Sequence, residues 1–293
     1  MLKEREASGQ GAGGSTALEQ TLLATLEGEI ASNRLVLPSL PEVALRVREL
    51  MAQPDCSVAQ LAKLISSDAA LAARLIKVVN SSSYRGQKTI DNIQAAITRL
   101  GLQLVRSLVT QLALLQSLHG GGAETRQLKV LSRHSMEVGA HCHAIASSYT
   151  TLNPEEALLA GLVHDIGKLP LLLRLRTTAT GPIDESVAET LLQRLHGRVG
   201  AMVLQAWRFA PDMVAVTDEH ENLQRDHRGA VDYADVVLLA HVLLHLRQGT
   251  QTQWTAQAAQ APVWRKLAVT PQQLLQDEAL QLQIGAALAR LTG

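Results

Sequence analysis

Imidazole and carboxylate side chains stand next to each other in one segment of this 293-residue sequence, AGLVHDIGKLPL. His164 and Asp165 are adjacent there, and Lys168 follows one helical turn later. Imidazole and carboxylate ligands suit Zn, Fe or Mn, and the sequence does not choose among these metals. An unpaired carboxylate on a core-facing position is costly, so Asp165 requires a cation, hydrogen-bond donors or water.

Further histidines fall on the apolar faces of neighbouring segments. At helical spacing, His134 and His141 share a face that also includes Val130. Later segments place four more histidines among apolar residues, namely His196, His220, His241 and His245. A single histidine on such a face is ordinarily a hydrogen-bonded core residue. Five successive segments with a histidine or an acid on the core side predict a shared polar cavity, and both a metal site and a hydrogen-bonded cluster remain open.

The segments that must position these residues are predicted to be helices. Hydrophobic residues, mostly Leu and Ala, make up 46% of the sequence and aromatic residues only 2%, which favours helices. No stretch alternates apolar and polar residues as a half-buried strand would. Local signals agree, because Ser57 and Gln60 have the spacing of a capping box, and Asp68 and Asn80 bracket another helix.

The helix that leads to the His-Asp pair has a strong start signal. Asn153 is a good N-cap, and Pro154 occupies the first helical position. The 3.6-residue period then places Asp165 on the same core-facing stripe as Leu158. Pro170 is predicted to end this helix, because proline cannot continue the backbone hydrogen-bond pattern.

Glycine-rich and polar stretches divide the chain. Residues 1–16 are rich in Gly and Ser and are predicted to be a disordered tail. The segment HGGGAE at residues 119–124 is the best internal boundary, because three successive glycines interrupt a helix. The predicted organisation is a helical lobe at 17–119, a second helical lobe at 124–248, and a connector with a C-terminal helix at 249–293.

Charge and cysteine content restrict the classes of partner and compartment. The formal net charge is zero, which provides no electrostatic case for nucleic acid or an anionic membrane. The two cysteines, Cys56 and Cys142, make no disulfide framework and indicate a reducing, cytoplasmic setting. No apolar run approaches the roughly 18 residues of a membrane span, and the N-terminus lacks a signal peptide's apolar stretch.

Several segments resemble, in the same order, the HDOD (HD-related output domain) family, a degenerate branch of the HD phosphohydrolase superfamily. They are LPSLPEVALRV, LISSDAALAARLIKVVNSSSY, AITRLGLQLVRSLV, EEALLAGLVHDIGKLPLL and HGRVGAMVLQAW, which together extend over about residues 35–248. The resemblance implies an all-α, two-lobed helical bundle. The lobe at 17–119 would be the N-terminal HDOD lobe, and the lobe at 124–248 would be HD-like.

The resemblance also implies a set of metal ligands. HD enzymes bind metal through a His, the His-Asp pair and a distal Asp, and binuclear members add further His ligands. Carried over to this sequence, the ligand positions are His134, His164, Asp165, His196 and His220, with Glu219 as the alternate to His220. Lys168 would lie near a bound phosphate.

The chain departs from the family pattern at the last ligand. Where the family has an Asp, the segment LAH places His241, which can bind a metal but adds no negative charge. Asp235 lies six residues earlier, about 120° around the helix, and is a poor substitute at 3.6 residues per turn. Zn, Mn and Fe remain the candidate cofactors.

The resemblance implies a bacterial signal-transduction or regulatory protein, and the loss of the last acid favours a non-catalytic one. Such a protein would act by binding a signalling protein in trans or a small, nucleotide-like ligand. The alternative is a metal-dependent phosphohydrolase or phosphodiesterase, which the surviving ligand residues favour. No GYP-type signature follows HDIGK, so cyclic dinucleotide hydrolysis has no support.

Overall fold

The computed structural model of the chain describes residues 11–38, 41–81, 84, 89–119, 126–178, 184–249 and 253–292. Every regular element in these ranges is an α-helix, which confirms the predicted all-α class. The helices are α1 (Gly11–Ala31), α2 (Glu42–Met51), α3 (Val58–Ser66), α4 (Ala69–Val79), α5 (Ile93–Leu100), α6 (Leu102–His119), α7 (Arg126–Tyr149), α8 (Pro154–Val163), α9 (Lys168–Thr178), α10 (Glu185–Ala206), α11 (Pro211–Glu219), α12 (Tyr233–Arg247), α13 (Gln253–Ala258), α14 (Val263–Leu267), α15 (Pro271–Gln276) and α16 (Glu278–Thr292). Across the described ranges, none of these helices combines the length and the apolar character of a membrane span.

The predicted capping residues fix the ends of the N-terminal helices. Ser57 Oγ accepts a hydrogen bond from the Gln60 amide at 3.2 Å, and Gln60 Oε1 accepts one from the Ser57 amide at 2.9 Å. The Asp68 side chain caps α4 in the same way. Asn80 ends α4, and its side chain exchanges two hydrogen bonds with the backbone of Ile90. These local bonds satisfy backbone groups that a helix terminus leaves unpaired.

One hydrophobic core extends through both halves of the chain. Helices α2 to α6 pack on one another, and α6 also packs against α7 and α8. Helix α1 packs against α10, and Glu29 on α1 forms an ion pair with Arg174 on α9. The indole of Trp207 is buried and donates a hydrogen bond to the Pro38 carbonyl at 2.9 Å, so this ring pairs its polar group while it packs in the core. The division into two lobes stays a prediction.

The structure differs from the predicted termini. Helix α1 begins at Gly11, whereas residues 11–16 were predicted to belong to a disordered tail; residues 1–10 lie outside the described ranges, as do the glycines after His119. The predicted single C-terminal helix is two helices. Asp277 separates them because its backbone is extended and its side chain accepts from the Leu280 amide, which starts α16.

The helix before the His-Asp pair ends earlier than predicted. Helix α8 stops at Val163, and a turn at residues 164–167 leads into α9, so Pro170 lies in the first turn of a new helix. Proline is tolerated there, because a first-turn amide has no partner within the helix. A Cβ on Gly167 would lie 2.0 Å from the His196 carbonyl oxygen. Only glycine therefore allows this turn to contact α10.

A second glycine contact brings α7 against α8. A Cβ on Gly161 would lie 2.6 Å from the Cα of Gly139, a spacing that side chains do not tolerate. The two helix backbones therefore cross at very close range, with neither residue contributing a side chain. His134 lies on α7 ahead of Gly139 and His164 follows α8 after Gly161, and their Nε2 atoms are 3.3 Å apart.

Candidate metal centre

Six side chains from five helical segments converge in the second half of the chain. They are His134 on α7, His164 and Asp165 after α8, His196 on α10, His220 at the end of α11, and His241 on α12. Neighbouring imidazole rings lie 4.9 to 5.8 Å apart between centroids. The structure thus brings together all six side chains that the sequence singled out as metal ligands; their metal role stays a prediction.

The first three of these residues form one candidate ligand group, here called the first triad. His134 Nε2 and His164 Nε2 are 3.3 Å apart. Asp165 Oδ2 lies 3.8 Å from the former and 3.4 Å from the latter. Lys168 donates a hydrogen bond of 2.6 Å to the same oxygen, so its ammonium group faces Asp165.

The other oxygen of Asp165 faces a second group, here called the second triad. His196 Nε2 and His220 Nε2 are 3.4 Å apart, and Asp165 Oδ1 lies 3.6 and 3.7 Å from them. Asp165 therefore stands between two pairs of imidazoles and presents one oxygen to each. A carboxylate in this position could bridge two cations.

Backbone carbonyls set the orientation of three of the rings. The Nδ1 atoms lie 2.7 to 3.1 Å from carbonyl oxygens of the preceding turn: Gly161 for His164, Leu192 for His196 and Val216 for His220. A carbonyl oxygen only accepts, so each neutral ring has its proton on Nδ1 and a lone pair on Nε2. Protein groups that bond the outer nitrogen of a ligating histidine act in this way around metals.

The second triad fits a cation better than a hydrogen-bonded cluster. Its two imidazoles point lone pairs toward each other, and Asp165 Oδ1 is buried with no donor among the described residues. Asp165 and His220 are each 1% exposed, so bulk water cannot supply the hydrogen bonds that these atoms lack. A cation between the three atoms would satisfy all of them, because each offers an electron pair.

Burial keeps three of the histidines in the neutral form that binds metal. It lowers the pKa of His220 and of His241 well below the usual value, and it lowers that of His134 to about 3. Burial alone would raise the pKa of Asp165, but His164 and Lys168 hold it well below its ordinary range. At neutral pH the imidazoles of His134, His220 and His241 are therefore neutral, and the carboxylate of Asp165 is charged.

The centre meets solvent along one edge. The side chains of His134 and Lys168 are each 23% exposed, and that of Glu221 is 38% exposed. His245 lies next to His241 at this edge, with their Nε2 atoms 3.1 Å apart. The remaining ligand candidates are buried.

Glu221, rather than the predicted alternate Glu219, lies beside the centre. Glu221 Oε1 is 3.9 Å from His220 Nε2. The carboxylate of Glu219 instead accepts from Asn222 at 3.0 Å and lies 3.5 Å from Arg225. The difference follows from the end of α11, since residues after His220 no longer follow helical spacing.

His141 lies apart from the six converging side chains. Its Nδ1 is 2.7 Å from the Glu137 carbonyl oxygen on the same helix, and its side chain is buried. The face predicted for this helix was wrong at Val130, which is 61% exposed.

A second acidic group nearby is already neutralised by the protein. Asp235 is fully buried; Arg225 donates to it, and Lys266 Nζ and His227 Nε2 lie 3.2 and 3.0 Å from its other oxygen. Burial would raise the pKa of Asp235, but His227 and Arg225 lower it. This acid therefore anchors the start of α12 and is not part of the candidate metal centre.

Comparison with known proteins places the fold in a recognised group. The family model of the HDOD domain matches residues 37–223. A solved structure from Shewanella amazonensis SB2B, named provisionally as a metal-dependent phosphohydrolase, is 31% identical and has a TM-score of 0.80; the match covers 93% of this chain and 99% of that one. A structure from Marinobacter aquaeolei VT8, named provisionally as a signal transduction protein, is 22% identical with a TM-score of 0.62, over 94% of this chain and 66% of that one. At that identity the likeness shows the fold alone.

A curated relative from Treponema pallidum (strain Nichols), whose function is uncharacterized, is 26% identical over 218 residues, or 70% of this chain. The chain spans 41% of that relative's length.

Proposed function

Since the chain belongs to the HDOD domain family, we propose that it is a regulatory protein of bacterial signal transduction built around a buried metal centre. The two triads would each hold one divalent cation, with Asp165 shared between them. The centre would stabilise one arrangement of α7, α8, α10 and α11, and a partner protein would bind that arrangement. The Marinobacter structure, named provisionally for signal transduction, shares this fold.

The enclosure of the second triad is the observation that best supports a structural metal. Its side chains, on His196, His220 and Asp165, are 5%, 1% and 1% exposed. A catalytic metal keeps a coordination position open to water and substrate, whereas a structural one is enclosed by protein ligands. Cleavage of a phosphate ester at this triad would require the surrounding helices to separate.

The composition of the centre favours a nitrogen-binding metal. Five imidazoles surround a single carboxylate, because His241 stands where the family pattern has an acid. Imidazole suits Zn and Fe, whereas Mn and Mg prefer carboxylate and water oxygens. We therefore propose Zn²⁺ or Fe²⁺ as the bound ion. When bound, such an ion supplies positive charge that the protein ligands compensate only in part.

A protein partner acting in trans is our first choice of ligand. A small, nucleotide-like ligand is the second, and it would have to approach the exposed edge formed by His134 and Lys168. The ammonium group of Lys168 already binds Asp165, so a phosphate would compete with that carboxylate. A cytoplasmic location is consistent with Cys56 and Cys142, both of which are free thiols.

The alternative function is metal-dependent hydrolysis of a phosphate ester. The Shewanella structure, with 31% identity over nearly the whole chain, bears a provisional name of this kind. The first triad would be the reactive part, because His134 lies partly in solvent. Divalent metals promote such reactions by stabilising the developing negative charge.

Metal analysis combined with a hydrolysis assay separates these functions. The purified full chain is analysed for Zn, Fe and Mn, and is then assayed with a generic phosphodiester such as bis(p-nitrophenyl) phosphate. We expect stoichiometric metal without hydrolysis in the wild type, and loss of metal in Asp165→Asn. Hydrolysis that disappears in Asp165→Asn would support the enzyme instead, and a metal-free wild type would contradict the proposed metal centre. His227→Gln, in the neutralised acidic group, is the matched control and should retain its metal.

A further inference from the structure

The last helix, α16, takes part in a buried polar junction outside the candidate metal centre. Arg290 on α16 donates a hydrogen bond of 3.1 Å to the carboxylate of Glu155 at the start of α8, and it also donates to the hydroxyl of Tyr84. The Tyr84 hydroxyl in turn donates to Glu155. His143 Nε2 on α7 lies 3.1 Å from the same carboxylate oxygen, and Gln111 on α6 donates to the Glu155 carbonyl at 3.0 Å. The junction therefore connects α16 to four other segments of the chain.

Glu155 requires a cation in this position. The side chains of Glu155 and Arg290 are each 8% exposed. Burial alone would raise the pKa of Glu155, but His143 and Arg290 lower it to about 2, so the carboxylate is charged at neutral pH. A buried charge that loses its partner is strongly unfavourable. Any helix that takes the place of α16 at this point must therefore also bring a positive charge.

A small apolar cluster, separate from the main core, lies beneath the end of α16. Met136 on α7 and Leu158 and Leu162 on α8 are buried there, and Leu288 and Leu291 of α16 pack against them. The same two helices position the first triad, since α7 carries one of its histidines and α8 leads directly into the His-Asp pair. The surface under α16 thus belongs to helices whose arrangement a partner would recognise.

A glycine divides α16 into two parts. Leu280 and Ile284, which precede it, are buried in the main core, whereas Leu288 and Leu291 after it cover the small cluster. An added Cβ on Gly285 would meet nothing within 4 Å, so packing does not require glycine at this position. Glycine inside a helix destabilises it relative to alanine. The helix therefore has a weak point immediately before its last two turns.

We infer that residues 286–292 form a latch over a helix-binding surface on α7 and α8. The partner that fits this surface is an amphipathic helix of a signalling protein, with leucine side chains on one face and an arginine that reaches Glu155. Opening at Gly285 exposes the surface, and the partner helix then replaces the latch. An amphipathic helix in an apolar groove is a recurrent mode of recognition. This inference rests on the proposed binding of a signalling protein, and it names the surface and the chemistry of that partner.

A labelled peptide with the sequence of residues 280–292 is the probe for this surface. Fluorescence anisotropy measures its binding to the full-length chain, with and without Zn²⁺. The attached latch competes with the peptide at a high effective concentration, so Arg290→Gln should bind the peptide about tenfold or more tightly than the wild type. Gly285→Ala should bind it about two- to fivefold more weakly, because alanine stabilises the closed helix. Leu282→Gln is the control, since Leu282 is 75% exposed on the same helix, and its affinity should equal that of the wild type.

A second peptide tests the charge that Glu155 requires. With Gln in place of its arginine, the peptide should bind the Arg290→Gln chain about tenfold or more weakly than the native peptide, because Glu155 then has no cation. Equal affinity of the wild type and Arg290→Gln for the native peptide, or equal affinity of Arg290→Gln for the two peptides, would overturn the latch.

Hydrogen exchange of the wild type provides a test that does not depend on the folding of a variant. An excess of isotope-labelled native peptide should accelerate exchange in residues 286–292 and leave the buried helix α12 unchanged. No acceleration would also overturn the latch. Peptide binding does not require the metal centre, so a metal-free wild type that shows this acceleration would contradict the two cations and support the latch.

Discussion

Replacing Asp165 by Asn removes the one charge that the two triads share. The side chain keeps its size, but its amide nitrogen has no lone pair for a metal, so it cannot bridge two ions. The substitution also takes away the anion that Lys168 contacts at 2.6 Å. We therefore expect two separate effects: a loss of stability in the apo protein, and loss of the stabilisation that metal provides.

Both effects can be estimated. Removing one partner of a buried ion pair costs about 3–5 kcal/mol, and the 23% exposure of Lys168 favours the lower end. The unfolding entropy is about 2.1 cal/mol/K per residue. For a chain of 293 residues, a loss of about 3 kcal/mol in the free energy of unfolding therefore lowers Tm by about 5 °C. At a free metal concentration about a hundredfold above Kd, each occupied site adds about 2.7 kcal/mol to the free energy of unfolding. Two sites therefore raise the wild-type Tm by about 9 °C.

Thermal denaturation with and without Zn²⁺ measures both effects. Asp235→Asn is the matched control, because Asp235 is equally buried and contacts Arg225 and Lys266 but lies outside the centre. Both variants should lose apo stability, but only Asp165→Asn should lose most of the Zn²⁺ increment. An Asp165→Asn protein with the full wild-type increment would refute the shared-ligand argument.

Three further outcomes follow from particular contacts. Gly167→Ala should lower Tm by about 5 °C, because overpacking against the backbones of His196 and Gly200 costs about 3 kcal/mol. Gly28→Ala is the control, since an added Cβ there meets nothing within 4 Å, and its Tm should not change. Differential scanning calorimetry compares the two variants. The stability of the apo protein should fall as the pH drops below 6.5. The pKa of His134 is near 6.5 in the unfolded chain but about 3 in the folded one, so acid favours unfolding. In urea titrations, the free energy of unfolding should be about 2 kcal/mol lower at pH 5. A pH-independent urea midpoint between 7.5 and 5 would contradict the neutral imidazole. Trp207→Phe should cost about 1 kcal/mol by the same titration, since the hydrogen bond to the Pro38 carbonyl is lost; an unchanged midpoint would show that this bond contributes nothing.

Features with a local cause were predictable from the sequence. The capping box at Ser57 and Gln60 is a backbone-to-side-chain exchange within four residues, so its sequence signature is complete. The convergence of histidines was predictable for a related reason. Each imidazole lies on the buried face of its own helix, and buried faces must meet in one core.

Features set by contacts between distant segments were not predictable. The end of α8 at Val163 depends on how closely Gly167 approaches the backbone of His196, and a helical period contains no information about that contact. Pro170 therefore suggested a helix end when it marks a helix start. Glu219 entered as an alternate to its neighbour His220 through the family resemblance, and only the chain path after the end of α11 shows that Glu221 lies beside the centre.

The tautomers of the buried rings provide the strongest physical reason to expect a cation. In a core without metal, His196 and His220 would face each other with two lone pairs, beside a carboxylate oxygen that no described donor contacts. Each buried polar atom without a partner costs about 1–3 kcal/mol. Protonating His220 would relieve the contact, but burial opposes this by lowering the pKa of His220 well below its usual value. Such an arrangement is stable when a divalent ion occupies the space between the three atoms, because that ion turns their repulsion into ligation.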